Sequence, residues 1–170
     1  MEYAVAPGIV FYKYLDSIYE NKPLKIIETG CMRDLTPNSE FSDGWSTLYI
    51  ARWIKNHKGC EFHSVDLDIN ALDLAHLALE VEGLAQYCEF HCQDSIKYLS
   101  NITWADFIFL DSCDGLQHGL DEFRLAASTG ARIILMDDYQ TKAAWAVAEG
   151  KKLGWDVQQV NRYSIFQRKS

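Results

Sequence analysis

The 170-residue sequence has three prolines, five cysteines and no Cys-x-x-Cys pair. It also lacks any apolar run near the ~18 residues that a membrane-spanning helix needs. Each shortage excludes something. An odd cysteine count without close pairs argues against a disulfide framework or a structural zinc site, so Cys31, Cys60, Cys88, Cys92 and Cys113 read as free thiols of a reducing, cytoplasmic protein. Cys88 and Cys92 stand four apart with no partner pair and read as small apolar residues in or near a strand. The prolines Pro7, Pro23 and Pro37 all precede residue 40 and are expected in turns or loops. Basic residues are scarce, 16 Lys and Arg against 24 Asp and Glu for a net charge of −8, which speaks against nucleic acid as a partner. No basic segment precedes the apolar part of residues 1–20, so no signal peptide is expected, and no membrane partner either. Repeats, low-complexity tracts and linkers are absent, which predicts a single domain over residues 1–170.

What is present is alternation. Five short apolar runs recur: Lys25–Gly30, Glu61–Asp66, Tyr87–Cys92, Ala105–Asp111 and Ala131–Asp137. Their continuous apolar character predicts parallel strands buried on both faces. Amphipathic stretches separate them, predicted as helices from Phe11 to Tyr19, Trp45 to Ile54, Asn70 (as N-cap) to Val81, Gly115 to Ala127 and Thr141 to Leu153. Trp155 to Arg162 and Ser164 to Arg168 predict a closing β-hairpin. The fold class is therefore α/β: a Rossmann-like seven-stranded sheet, mostly parallel with a C-terminal antiparallel hairpin, and helices on both faces.

In such sheets ligands bind beyond the carboxyl ends of the strands, so the residues ending each strand are the candidates. The first strand ends in Glu28-Thr29-Gly30, where Gly30 lets a ligand approach the backbone. The second ends in Asp66, a carboxylate able to accept from both hydroxyls of a ribose. The third leads to Asp94 and Ser95, where Asp94 also suits the N-cap of a short helix. The fourth ends in Asp111 and the fifth in Asp137-Asp138. If these two strands are neighbours, three carboxylates converge, and a hard divalent cation such as Mg²⁺ relieves their repulsion.

Together these residues resemble the class I S-adenosylmethionine-dependent methyltransferases. The resemblance runs from Lys25 to Tyr139 through Ile27-Glu28-Thr29-Gly30, Ser64-Val65-Asp66, Gln93-Asp94-Ser95 and Phe109-Leu110-Asp111. The stretch Asp43-Gly44-Trp45-Ser46-Thr47 looks like the family's Gly-x-Ser-Thr helix start. Leu110-Asp111 followed by Leu135-Met136-Asp137-Asp138-Tyr139 is similar to the metal-dependent small-molecule O-methyltransferases. The resemblance implies S-adenosylmethionine as cofactor. Glu28 and Gly30 would border its methionine part, Ser46 and Thr47 would take the carboxylate on helix-start N–H groups, and Asp66 would hold the ribose. Asp94 and Ser95 would touch the adenine, with Asp111 at the junction of cofactor and acceptor. Asp111, Asp137 and Asp138 would ligate the metal, and Tyr139 would line the acceptor pocket.

Two departures accompany the resemblance. The first loop, Cys31 to Asp43, is long and polar where the family is short and glycine-rich; Arg33 within it suits an anionic group, and the loop suits a lid. Catechol-type enzymes carry a lysine base three residues after the position of Asp111, where this sequence has Asp114; Asp114 and His118 are the alternative bases. The reading is a methyltransferase acting on a small-molecule hydroxyl, assisted by a divalent metal. Acceptor specificity falls to the long loop, the N-terminal helix or a second subunit of a homo-oligomer. Two other classes stay in view: a catalytically inactive S-adenosylmethionine-binding domain, and a nicotinamide-dependent oxidoreductase, whose Gly-x-Gly-x-x-Gly is missing after Gly30.

Overall fold

The computed structural model describes residues 7–36 and 45–169. Helix α1 (Pro7–Ile18) leads into β1 (Lys25–Thr29), followed by α2 (Ser46–Ile54), β2 (Glu61–Asp66), α3 (Ile69–Val81) and β3 (Glu89–Cys92). The chain continues through α4 (Ser95–Ser100), β4 (Phe107–Leu110), α5 (Leu116–Ser128), β5 (Ile133–Met136) and α6 (Ala144–Lys152), and closes with β6 (Asp156–Val160) and β7 (Tyr163–Gln167). The strands form one sheet in the order β3-β2-β1-β4-β5-β7-β6. All pairs from β3 to β5 are parallel, while β7 runs antiparallel to both β5 and β6.

Alternation along each strand builds two cores. On β4, Phe107 and Phe109 join Ile26, Phe62, Ile133 and Leu135 under α1 and α2, with Phe11 meeting Phe109 edge to face at 5.0 Å between centroids. Ile108 and Leu110 point the other way, against Phe123 of α5, Ala146 of α6 and Phe166. Each of the Phe, Ile and Leu side chains buries enough surface to contribute roughly 1.5–3 kcal/mol, so the central strands hold the sheet together from both sides. A third cluster fixes α3 against α2 through Leu48, Ala51, Leu72, Ala75 and Leu79.

Local differences from the sequence reading have physical causes. Pro7 begins α1 rather than a turn, a position where its missing N–H costs nothing. The N-cap of α3 is Asp68, whose carboxylate accepts from the Asn70 N–H at 2.9 Å, so Asn70 lies inside the helix. Strand β3 is the sheet edge and is only partly covered, unlike the other four parallel strands. Trp53 and Trp155 are core residues, but Trp104 and Trp145 are half exposed. No helix among the described residues is long and apolar enough to cross a membrane.

Candidate functional site

Parallel pairing of β2, β1, β4 and β5 brings Asp66, Gly30, Asp111 and Asp137 to one rim, because all four follow strands that run the same way. Gly30 adopts φ +78°, and a Cβ there would lie 2.3 Å from the Asp111 carbonyl oxygen. Only glycine lets the end of β1 close onto β4 at that point.

Behind the rim sits Glu28. It is fully buried and accepts from Ser46 Oγ, Thr47 Oγ1 and Ser64 Oγ, the last two at 2.7 Å. Burial raises its carboxyl to about 7, and the three hydroxyls only partly offset this. Glu28, expected to border the cofactor, therefore faces inward and organises the start of α2. The hydroxyls of Ser46 and Thr47 are spent on it, with Thr47 Oγ1 also accepting from the Met32 N–H at 3.1 Å. At the start of α2 the Leu48 and Tyr49 N–H groups both donate to the Trp45 carbonyl at 3.1 Å, and no side chain among the described residues caps the helix. Asp43 and Gly44 of the predicted Gly-x-Ser-Thr start, and residues 37–43 of the long loop, lie outside the described residues.

Asp66 is buried at the β2 end of the rim. It accepts from the N–H groups of Cys31 (3.1 Å) and Asp68 (2.9 Å) and from Arg33 Nη2 (2.9 Å). Burial pushes the carboxyl up, but these donors outweigh it and hold the group below its ordinary value. A cavity of about 190 Å³ opens beside it, lined by Asp66, Asp68, Asp94, Ser95, Ser112 and His118 among others. Asp94 caps α4, accepting from the Lys97 N–H at 2.9 Å. Ser95 Oγ lies 3.1 Å from His118 Nε2, which also faces Ser112 Oγ at 3.0 Å. Ser112 Oγ donates to the buried Glu122 at 2.7 Å. Glu122, 3.7 Å from the imidazole, raises the His118 pKa. His118, one of the two candidate bases, therefore lines the cavity beside Asp66.

The centre of the rim differs most from expectation. Asp111, Asp137 and Asp138 do converge, but side-chain cations already hold them. Lys142 is 1% exposed and donates through Nζ to Asp111. Arg162, from the turn between β6 and β7, grips Asp137 through Nε and Nη2 at 2.5 Å each and reaches Asp138 at 3.1 Å. Burial and Asp137 push Asp111 well up while Lys142 pulls it back. Burial pulls Lys142 and Arg162 down, but the carboxylates win and both are raised, so both cations persist. The tested metal set thus does not fit a resident Mg²⁺. An ion needs carboxylate oxygens to spare, and a buried ammonium and a guanidinium occupy them. Asp114, the other candidate base, is 88% exposed and sits 3.8 Å from Lys142 Nζ.

Two further cavities continue the row. One of about 460 Å³ is lined by Cys31, Arg33, Asp111, Ser112, Asp137 and Arg162. The next, of about 510 Å³, is lined by Asp114, Asp138, Tyr139, Thr141, Asn161 and Arg162. Shared walls make the three adjoin: Arg33 and Ser112 between the first two, Asp114 and Arg162 between the last two. Tyr139 is placed at the far end by its N–H bond to the Arg162 carbonyl, 2.9 Å. The sequence reading missed Lys142, Arg162 and Ser112. Only Ser112 carried a signal, its position directly after a strand-end acid.

No family model and no curated protein matches the sequence. Solved structures match in fold. A methyltransferase from Geobacter sulfurreducens superposes with TM-score 0.71 at 16% identity, covering 96% of this chain and 78% of that one. The O-methyltransferase TomG of Streptomyces achromogenes, involved in tomaymycin synthesis and solved with S-adenosylmethionine, gives TM-score 0.65 at 13% identity over 96% and 79%. An O-methyltransferase family protein from Burkholderia thailandensis gives 0.58 at 16% identity, covering 96% of this chain but 57% of that one. The seven-stranded sheet, its strand order and these superpositions agree: the chain has the fold of the class I S-adenosylmethionine-dependent methyltransferases.

Proposed function

We propose that the chain binds S-adenosylmethionine along this rim and transfers its methyl group to a hydroxyl of a small molecule. The observation that carries the reading is the row of three adjoining cavities, with Asp66 at one end, Asp111 at the centre and Tyr139 at the other. A carboxylate has about four acceptor sites. On Asp66, Oδ2 accepts from the Cys31 N–H, the Cys31 thiol and Arg33, while Oδ1 accepts from the Asp68 N–H, so Oδ1 keeps a lone pair for a ribose hydroxyl and Oδ2 gains room if Arg33 swings away. Ser95, Ser112 and His118 offer polar edges for the base. The acid-rich centre suits a sulfonium cation.

Methyl transfer is an in-line displacement. The acceptor oxygen forms the new bond to the methyl carbon, the carbon–sulfur bond breaks onto sulfur, and the hydroxyl proton leaves. Asp111 is the group placed to take that proton. Its side chain keeps 25% exposure toward the central cavity, and burial with Asp137 nearby makes it more basic than a free carboxylate. Lys142 offsets part of that rise and aims the carboxylate. No step needs a metal at this rim, because Lys142 and Arg162 already supply the positive charge.

A second reading has its own support. Arg33, Lys142 and Arg162 close ion pairs over every rim acid on the β2, β4 and β5 ends, as suits a domain that binds the nucleoside without turnover. Incubation with S-adenosylmethionine labelled in its methyl group and a panel of hydroxylated acceptors separates the two. Label in an acceptor, lost in Asp111→Asn with cofactor affinity kept, supports transfer. Saturable binding with no labelled acceptor supports the silent domain.

A further inference from the structure

At the uncovered edge of the sheet, away from the rim acids, two histidines and a glutamate meet. His63 of β2 pairs in register with Glu89 of β3, and His91 follows two residues later, so all three side chains leave the same face. His63 Nδ1 lies 3.0 Å from His91 Nε2. The Glu89 carboxylate lies 3.6 Å from the former and 3.5 Å from the latter. An ion with bonds of about 2.0–2.1 Å holds its ligands about 3–3.5 Å apart, which is the spacing found here.

The second ring nitrogen of His63 points the same way. If Nδ1 carries the proton and donates to His91, the opposite nitrogen, Nε2, is a bare acceptor whose polar neighbour is the Glu61 carboxylate at 3.7 Å, another acceptor. Nε2 is buried and makes no hydrogen bond. A metal on Nδ1 forces the proton to Nε2, turning it into a donor aimed at Glu61. That is the carboxylate–histidine–metal relay which orients metal-bound imidazoles elsewhere. The rings are mostly covered, at 14% and 23% side-chain exposure, and Tyr98 packs against them. Glu61, His63 and Glu89 also line a cavity of about 430 Å³ that gives an ion access and room for bound water.

We propose that His63, His91 and Glu89 form a site for a first-row divalent transition ion such as Zn²⁺, with Glu61 as the outer carboxylate on His63. Two imidazoles select against Mg²⁺ and Ca²⁺, which prefer oxygen. The ion clamps β3 to β2 just before both strands deliver Asp66 and Asp94 to the rim.

The test uses the whole protein after chelator treatment and dialysis. Titration with Zn²⁺ by calorimetry, and with Co²⁺ by visible absorption, is expected to give one equivalent bound. The ring resonances of two of the five histidines should shift in the wild-type protein, a readout that needs no variant. The variant His63→Gln/His91→Gln should lose the binding, Glu61→Gln should weaken it about 10–100-fold, and Asp137→Ala should leave it unchanged. No saturable binding, retention in the double histidine variant, or loss in Asp137→Ala would each overturn the site.

Discussion

Lys142 donates through Nζ to Asp111, a partner 31 residues earlier at the end of β4. The ammonium occupies the centre of a carboxylate cluster where sequence alone suggested a divalent ion. Gly119 of α5 helps bring it there: a Cβ on Gly119 would lie 2.7 Å from the Lys142 carbonyl oxygen, so the helix and the Lys142 turn touch through backbone.

Lys142→Met should therefore destabilise the fold. Removing one member of a buried pair strands the other charge, at a cost of about 3–5 kcal/mol at neutral pH. The sign with pH follows from Asp111. Without Lys142 its folded carboxyl rises further above the unfolded value, so the variant keeps its stability only at low pH and loses it as pH rises through the folded value. Urea unfolding at pH 5 and pH 8 should show the smaller deficit at pH 5. An equal deficit at both would mean that Lys142 does not compensate Asp111.

Withholding Mg²⁺ gives the complementary result. Methyl transfer, once an acceptor is in hand, should proceed at the same rate with Mg²⁺ supplied or withheld, since Asp111, Asp137 and Asp138 keep their lysine and arginine partners. A rate that collapses without Mg²⁺ and returns with it would restore the metal at the rim.

Glu28 offers a pH test inside the core. Its folded pKa near 7 lies above the unfolded 4.5, so its contribution is complete below pH 4.5 and declines as pH rises toward 7. The difference amounts to about 3 kcal/mol. Glu28→Gln cannot ionise. Unfolding free energies from pH 4.5 to 8 should therefore fall more steeply in the wild-type protein than in the variant. Parallel curves would show that Glu28 does not titrate there.

Gly30→Ala should cost more than about 2 kcal/mol. It adds left-handed backbone strain to a clash with the Asp111 carbonyl oxygen. Thermal unfolding measures it, and a melting temperature within a degree of wild type would contradict the close approach of β1 to β4.

The fold and the order of the rim acids were legible because both are local. Phe107 to Leu110 is an uninterrupted apolar run ending in Asp111, and Ile133 to Met136 repeats the design, so strand, burial and strand-end acid are written in consecutive residues. The partners of those acids were not legible. Arg162 reaches Asp137 from 25 residues away across a hairpin turn, and its long side chain has no preferred sequence distance. Whether Glu28 faced ligand or core depended on where α2 packed, which set the hydroxyls of Ser46 and Thr47 inward. His63 and His91 meet only through the β2–β3 register. His118 was a candidate base by type, and its place in the cavity beside Asp66 followed from the packing of α5.

The central claim is that Asp66 anchors the nucleoside of S-adenosylmethionine. Calorimetric titration of the wild-type protein and of Asp66→Ala with S-adenosylhomocysteine tests it most directly. The wild type should bind one equivalent and the variant about 10–100-fold more weakly, the worth of hydrogen bonds to a charged acceptor. No saturable binding by the wild type, or equal affinity in both proteins, would contradict it.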